Sequence, residues 1–143
     1  MSIARTDVEA FLSAQRSPRV SERIALNDMI REGLSIGLVE NAAKLLGLSE
    51  RDLTGFGVIA SRTLRHSKAA GRLSAGQSDR VTRFFRIYQK SVDTFGTPEN
   101  ARAWLIRKTR ALRGRRPVDL LDTEEGARLV ESLLTRIDHG LAA

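Results

Sequence analysis

Apolar positions recur along this chain at spacings of three and four, the period of a helix, and nowhere alternate as a half-buried strand would. The clearest run is Val81, Phe84, Phe85, Tyr88, Val92 and Phe95. It predicts one long amphipathic helix, opened near Ser74 or Gly76 and closed by Gly96. Leu38, Ala42, Leu45, Leu46 and Leu48 form a second stripe, closed by Gly47, after a break marked by Gly37. Val130, Leu133, Leu134 and Ile137 line a last helix, with Thr123 as its cap, Glu124 and Glu125 in its first turn and Gly140 at its end.

Between these stripes the punctuation predicts shorter elements. Val8, Phe11 and Leu12 form one short apolar face before Ser17-Pro18 interrupts the chain. Residues 1–20 therefore read as a partly ordered arm with a short helix. Ser21 reads as the cap of a helix over 22–31, with Ile24, Met29 and Ile30 as buried positions and Gly33 at its end. Ser49 caps a helix over 50–54, Gly55 and Gly57 make a turn, and Ser61 caps a helix over 62–70 stopped by Gly71. Thr97-Pro98-Glu99 starts another helix, buried through Ala101, Trp104 and Leu105. Residues 107–116 read as a basic loop, and 117–121 as a short apolar connector in which Leu120-Leu121 anchors to the core and Asp119 and Asp122 act as local caps.

Composition agrees with an all-α fold, since Ala, Leu, Arg and Glu dominate. The 143 residues contain no Cys, which excludes disulfides, thiolate nucleophiles and Cys-based zinc sites. No apolar run approaches the length of a membrane span, and the first residues do not form a secretory signal, so a cytoplasmic location with no membrane contact is expected.

A net charge of +7 favours an anionic partner, and its placement sharpens that reading. Two stretches carry cations and no acids. Residues 53–78 hold Arg62, Arg65, Lys68 and Arg72 together with His66. Residues 100–118 hold Arg102, Arg107, Lys108, Arg110, Arg113, Arg115 and Arg116. The first stretch lies in a short helix, glycine turn and second helix over 49–70, which reads as a helix-turn-helix. Leu64 with part of Ile59 would hold the second helix on a core. Arg62, Thr63, Arg65, His66 and Lys68 would then face outward, where Arg can bridge guanine O6 and N7. Lys68 and Arg72 suit phosphates. The competing reading is a solvated basic face. The second stretch, around Trp104, suits a phosphate backbone, an acidic protein surface or water.

Catalytic chemistry finds no constellation. His66 lies among cations, His139 is near the end of the chain, and no carboxylate pair or His cluster has ligand spacing. The Gly55-Phe56-Gly57 turn is not followed by the Gly-Lys-Ser/Thr of a phosphate loop. A binding protein without metal or cofactor, and not an enzyme, is expected.

Several short runs share a pattern: Ala42 through Ser49, Ser61-Arg62-Thr63-Leu64-Arg65, Leu73-Ser74 with Asp79-Arg80, Phe95-Gly96, and Ala101 through Leu105. Gly114-Arg115-Arg116-Pro117-Val118-Asp119-Leu120-Leu121-Asp122-Thr123-Glu124-Glu125-Gly126 follows, and the series closes on Val130, Leu133-Leu134 and 136–140. With these runs, the chain from about residue 38 to 140 resembles the Xre/MbcA/ParS antitoxin family. The least matched part is the glycine-rich turn over 55–60. The resemblance implies an antitoxin of a type II toxin–antitoxin system, encoded beside a RES-domain toxin that consumes NAD or transfers its ADP-ribosyl group. It implies an N-terminal part that binds operator DNA in its own promoter and a C-terminal part that covers the toxin's NAD cleft. It also implies a homodimer within the toxin–antitoxin complex. Toxin contact then falls to Trp104, Arg113, Arg115, Arg116, Arg136, Asp138, His139, Gly140 and Leu141.

The expected organisation is an arm over 1–20, a helix-turn-helix domain over 21–75 and a toxin-binding domain over 76–143. A free-standing transcriptional regulator whose C-terminal half only dimerises is the alternative. A pure interaction protein without DNA contact is a third reading.

Overall fold

The computed structural model describes residues 3–140. Its helices are α1 (Arg5–Ala14), α2 (Val20–Glu32), α3 (Ile36–Leu45), α4 (Glu50–Gly55), α5 (Ser61–Ala70), α6 (Ala75–Phe95), α7 (Pro98–Leu105) and α8 (Glu124–Asp138). Two 3₁₀ turns, Arg110–Leu112 and Pro117–Leu120, lie between α7 and α8. Among the described residues there is no strand, only two isolated bridges, Ser35 with Arg72 and Thr109 with Arg115. The chain divides into two compact units, Met1–Thr82 and Arg83–Ala143. The seam falls inside α6, later than the one expected near residue 75.

In the first unit, the short helix expected within residues 1–20 is present over Arg5–Ala14. Val8, Phe11 and Leu12 are all buried, and α1 packs on α2 and α3. Helix α2 begins at Val20 with Arg19 at its N-cap, so Ser21 is not the cap. Only Leu26 of α2 is buried, while Ile24 and Met29 are exposed. The apolar residues of α2 lie on more than one face, so its pattern could not say which face the other helices cover. Gly37 is not a break but lies inside α3, whose cap is Ser35, accepting from the Leu38 N–H at 3.2 Å. Leu45 at the end of that stripe is exposed.

The true interruption is at Gly33, with φ +91°. There the chain pairs with residues 71–73. Leu73 N–H donates to Leu34 O at 2.9 Å and Ile36 N–H to Gly71 O at 3.0 Å. Leu34 N–H donates to the buried Ser78 hydroxyl at 2.8 Å, which itself donates to Ser74 O at 2.7 Å. A Cβ at Gly33 would lie 2.3 Å from the Leu73 carbonyl oxygen, so both the backbone angle and the close approach demand glycine. This clasp ties the end of α2 to the end of α5.

The second unit is built around the apolar face of α6. Phe84, Phe85, Ile87 and Tyr88 are almost wholly buried. Phe84 stacks on Tyr88 with ring centroids 5.8 Å apart. Helix α8 buries Ala127, Val130, Leu133 and Leu134. Its cap is Thr123, whose hydroxyl accepts from the Gly126 N–H at 3.0 Å. Three side chains spaced along α6 reach α8. Arg83 donates to Glu124 at 3.2 Å, Arg86 to Glu124 at 3.0 Å and to Glu131 at 3.1 Å, and Lys90 to the Thr135 hydroxyl at 2.7 Å. The nearly buried Arg83 guanidinium also donates to the Leu121 and Asp122 carbonyls at 3.3 and 3.4 Å. An Arg can be buried this way because its donors find acceptors at the end of the connector and the start of α8.

Candidate functional site

Helices α4 and α5, joined by residues 56–60, form the helix-turn-helix. The cap expected at Ser49 is present, and Asp52 closes it into a capping box. Ser49 N–H donates to the Asp52 carboxylate at 2.8 Å, and Asp52 N–H to the Ser49 hydroxyl at 3.1 Å. Gly57, at φ +75°, turns the chain, and Val58 and Ile59 bury themselves at the turn. Leu64 and Ser67, three residues apart, are the buried face of α5. Its N-cap is Ala60, one residue before the expected Ser61. The positive end of α5 therefore has neither a side-chain cap nor an acid in its first turn.

Arg62, Arg65 and His66 are exposed on the outer face of α5, with Thr63 half-buried beside them. The structure thus brings these four together on one helix. Lys68 and Arg72 differ from expectation in what they already touch. Lys68 forms an ion pair with Glu50 of α4. The hydrogen bond to Glu50, helped by the nearby Glu50 and Glu40 charges, raises the Lys68 pKa against the opposing effect of desolvation. The Arg72 guanidinium donates to the Gly33 carbonyl as part of the clasp. The sequence signal for the first pair is Glu50 in the first turn of the preceding helix. The second has none, because it joins segments 39 residues apart.

In the second unit, Trp104 is 4% exposed and packs on Phe95 with ring centroids 5.2 Å apart. Its place is the core of α7, so any part it plays in toxin contact is indirect. The basic stretch after α7 is more ordered than a loop. Thr109 N–H donates to Arg115 O at 3.1 Å and Gly114 N–H to Thr109 O at 2.9 Å, closing a tight hairpin over the buried Leu112. Arg113 and Arg115 are exposed on it. Arg116 is not free for a partner in the same way: it makes a two-pronged ion pair with Asp119, at 2.8 and 2.7 Å. That hydrogen bonding holds the Asp119 carboxyl below its ordinary range, against the opposing effect of burial. Asp119 is thus a salt-bridge partner rather than a helix cap.

Arg136, Asp138, His139 and Gly140 are exposed at the end of α8, and Gly140 leaves the helix at φ +73°. Leu141, expected to contact the toxin, lies outside the described residues. Leu129, on the outer face of α8, is 52% exposed, and Ile106, after α7, is 47% exposed. The sequence pattern marks neither, because neither extends a buried stripe. The α6–α8 ladder does leave a trace in the sequence: Arg83, Arg86 and Lys90 repeat at helical spacing, and Glu124, Glu131 and Thr135 answer them. What the sequence lacks is any sign that these two helices are neighbours. Burial pushes the Glu124 carboxyl up, but Arg86 and Arg83 overbalance it and hold the group below its ordinary value.

Among the described residues no three His, Asp or Glu side chains gather as metal ligands would, and no helix is long and apolar enough to cross a membrane. Residues 25–86 match a model of the antitoxin Xre-like helix-turn-helix domain. Residues 91–140 match a model of the antitoxin Xre/MbcA/ParS C-terminal toxin-binding domain. The chain is similar to two proteins named Antitoxin Xre. That of Photorhabdus laumondii is 32% identical over 120 residues, covering 82% of this chain and 81% of the relative. That of Yersinia enterocolitica is 31% identical over 123 residues, covering 85% and 83%.

Proposed function

The chain belongs to the Xre antitoxin family, and on that premise we propose that it neutralises a RES-domain toxin by covering its NAD cleft and represses its own operon. The observation that carries the reading is a division of labour. An acid-free, outward-facing cationic helix, α5, belongs to the first unit, and an exposed helix end, Arg136 with residues 138–140, belongs to the unit matched as toxin-binding. An uncapped helix start beside Arg62 and Arg65 favours phosphate, and the two Arg forks suit guanine edges.

For neutralisation, α8 supplies a rigid scaffold locked to α6, and Gly140 lets the chain leave its axis. A short end entering an anion-binding cleft needs a carboxylate or small polar groups to meet toxin cations, which Asp138 and His139 can begin to supply. Occlusion of this kind asks for no catalytic group, metal or cofactor in the antitoxin itself. A homodimer is supported by α2, where Val20 and Ile24 lie one turn apart and are 71% and 56% exposed.

Co-expression with a RES-domain toxin tests the reading. The full chain should co-purify with that protein and preserve cellular NAD. A chain stopped after Ile137 should still bind but protect poorly. Full protection by the shortened chain would move inhibition to the helical surface. A full chain that neither binds nor protects would leave a free-standing regulator.

A further inference from the structure

We propose that the basic hairpin over residues 107–115 is a second DNA-binding element, gripping duplex phosphates without regard to sequence. This rests on the reading that the chain binds DNA, but it assigns that work to the unit matched as toxin-binding.

Five cations, Arg107, Lys108, Arg110, Arg113 and Arg115, are exposed or half-buried within nine residues. No acid occurs from residue 100 to 118, and among the described residues none pairs with these five. Asp119 neutralises only Arg116, which marks the edge of the patch. The patch is also preorganised. Besides the Thr109 and Gly114 bonds, Arg113 N–H donates to Arg110 O at 2.9 Å and Arg115 N–H to Leu112 O at 3.2 Å. Like charges are thus held close by the backbone, an arrangement that repels itself until an anion arrives.

Arg113 adds an independent observation. Among the described residues it is the one non-glycine with positive φ, at +56°. That conformation suits Gly or Asn and disfavours a long side chain. Its side chain is exposed and contributes nothing to the core. A residue in a disfavoured backbone state, with no internal use for its side chain, points to a use outside the molecule. Around it the exposed side chains are cationic, apart from Ala111, and the one large apolar residue of the hairpin, Leu112, faces inward. Interfaces between proteins are organised round buried apolar or aromatic anchors, whereas phosphate backbones are held by charge alone. Ile106, at the foot of the hairpin, is the one neighbour suited to a protein partner, so the test includes one.

The experiment measures binding of the full chain to its own upstream DNA and to a random duplex of equal length, between about 50 and 200 mM salt. Arg110→Gln/Arg113→Asn/Arg115→Gln should flatten the salt slope by about 0.9 for each phosphate no longer held, so by about 2–3 in all. Affinity should fall about equally on both duplexes, at least roughly tenfold near 100 mM salt, leaving the preference between them intact. Arg113→Asn alone should flatten the slope by about 0.9 while raising Tm, since Asn tolerates the turn; a merely structural role would lower Tm. Unchanged slopes overturn the proposal. So does an unchanged slope together with failure to co-purify the toxin, which makes the hairpin a protein-docking patch.

Arg65→Ala separates the two readings. Loss of preference there with no effect of the hairpin variant leaves promoter recognition standing and sinks this proposal. The converse sinks recognition by α5 and keeps the hairpin. No binding of the full chain to either duplex at low salt sinks both.

Discussion

Gly126 lies directly under the carbonyl of Leu120: a Cβ placed on it would come within 1.8 Å of that oxygen. The first turn of α8 and the connector before it meet there through backbone alone. Ala in a helix normally stabilises relative to Gly, so the sign of the substitution is diagnostic. Gly126→Ala should destabilise the protein by about 3 kcal/mol, because backbone rather than a flexible side chain must move. Gly76→Ala, in the first turn of α6 with open space around it, should gain about 0.4–1 kcal/mol. Thermal melts of the two variants decide, and equal effects would mean that the connector yields to a methyl group without cost.

The α6–α8 ladder makes the second unit acid-sensitive. The Glu124 carboxyl has an ordinary value of 4.5 and lies lower in the folded protein. Its stabilisation is therefore present above about pH 4.5 and is lost as pH falls through the folded value. Glu124→Gln should cost about 1 kcal/mol at neutral pH, a figure kept small because the carboxylate side chain is 47% exposed. The variant should also lose part of the wild-type fall in Tm as the pH drops below about 5 and on through the lowered value of that carboxyl. An undiminished fall would assign acid sensitivity elsewhere, with Asp119 the next candidate.

Promoter binding should respond in opposite directions to two substitutions on the helix-turn-helix. Removing Arg65 should cost about 1–3 kcal/mol on the preferred sequence and relax specificity. Glu50→Gln should tighten binding to every duplex, because it releases Lys68 from its ion pair. The salt slope should then steepen by about 0.9, the value of one further neutralised phosphate. Weaker binding by Glu50→Gln would mean that the pair positions Lys68 rather than restrains it.

Charges placed on the open face of α2 should leave the fold alone and change the assembly. The wild type should elute as a dimer, and Val20→Glu/Ile24→Glu should keep its helical circular dichroism but elute as a monomer. An unchanged elution volume would move self-association off α2.

Most helices are legible in the sequence because their caps and glycines are local signals. Ser49, Thr97, Thr123, Gly71 and Gly96 mark the ends where the structure has them. The differences fall where a local signal has a distant cause. Gly33 reads as an ordinary helix stop, yet glycine is required there by the approach of Leu73. Gly37 reads as a break, yet it sits in a helix against Ile3. Ile24 and Ile30 have the same chemistry as Leu26, and only tertiary packing selects among them. At the candidate sites, the outer face of α5 follows from helical period alone. The engagement of Lys68, Arg72 and Arg116 depends on partners brought in by the fold, and so does the burial of Trp104. Arg113 has no sequence mark beyond the glycine that follows it.

The seam inside α6 sets an order of events during synthesis. Everything the first unit needs has been translated by Thr82, whereas Phe84, Phe85 and Tyr88 are covered in a unit that also requires Val130, Leu133 and Leu134. At about 5–20 residues per second, a ribosome makes Val130, Leu133 and Leu134 roughly 2–9 s after those rings. A nascent or prematurely ended chain would thus carry a finished helix-turn-helix trailing an unfinished second unit, which chaperones and proteases are built to find. The supply of complete protein then depends on the last third of the message being read without interruption.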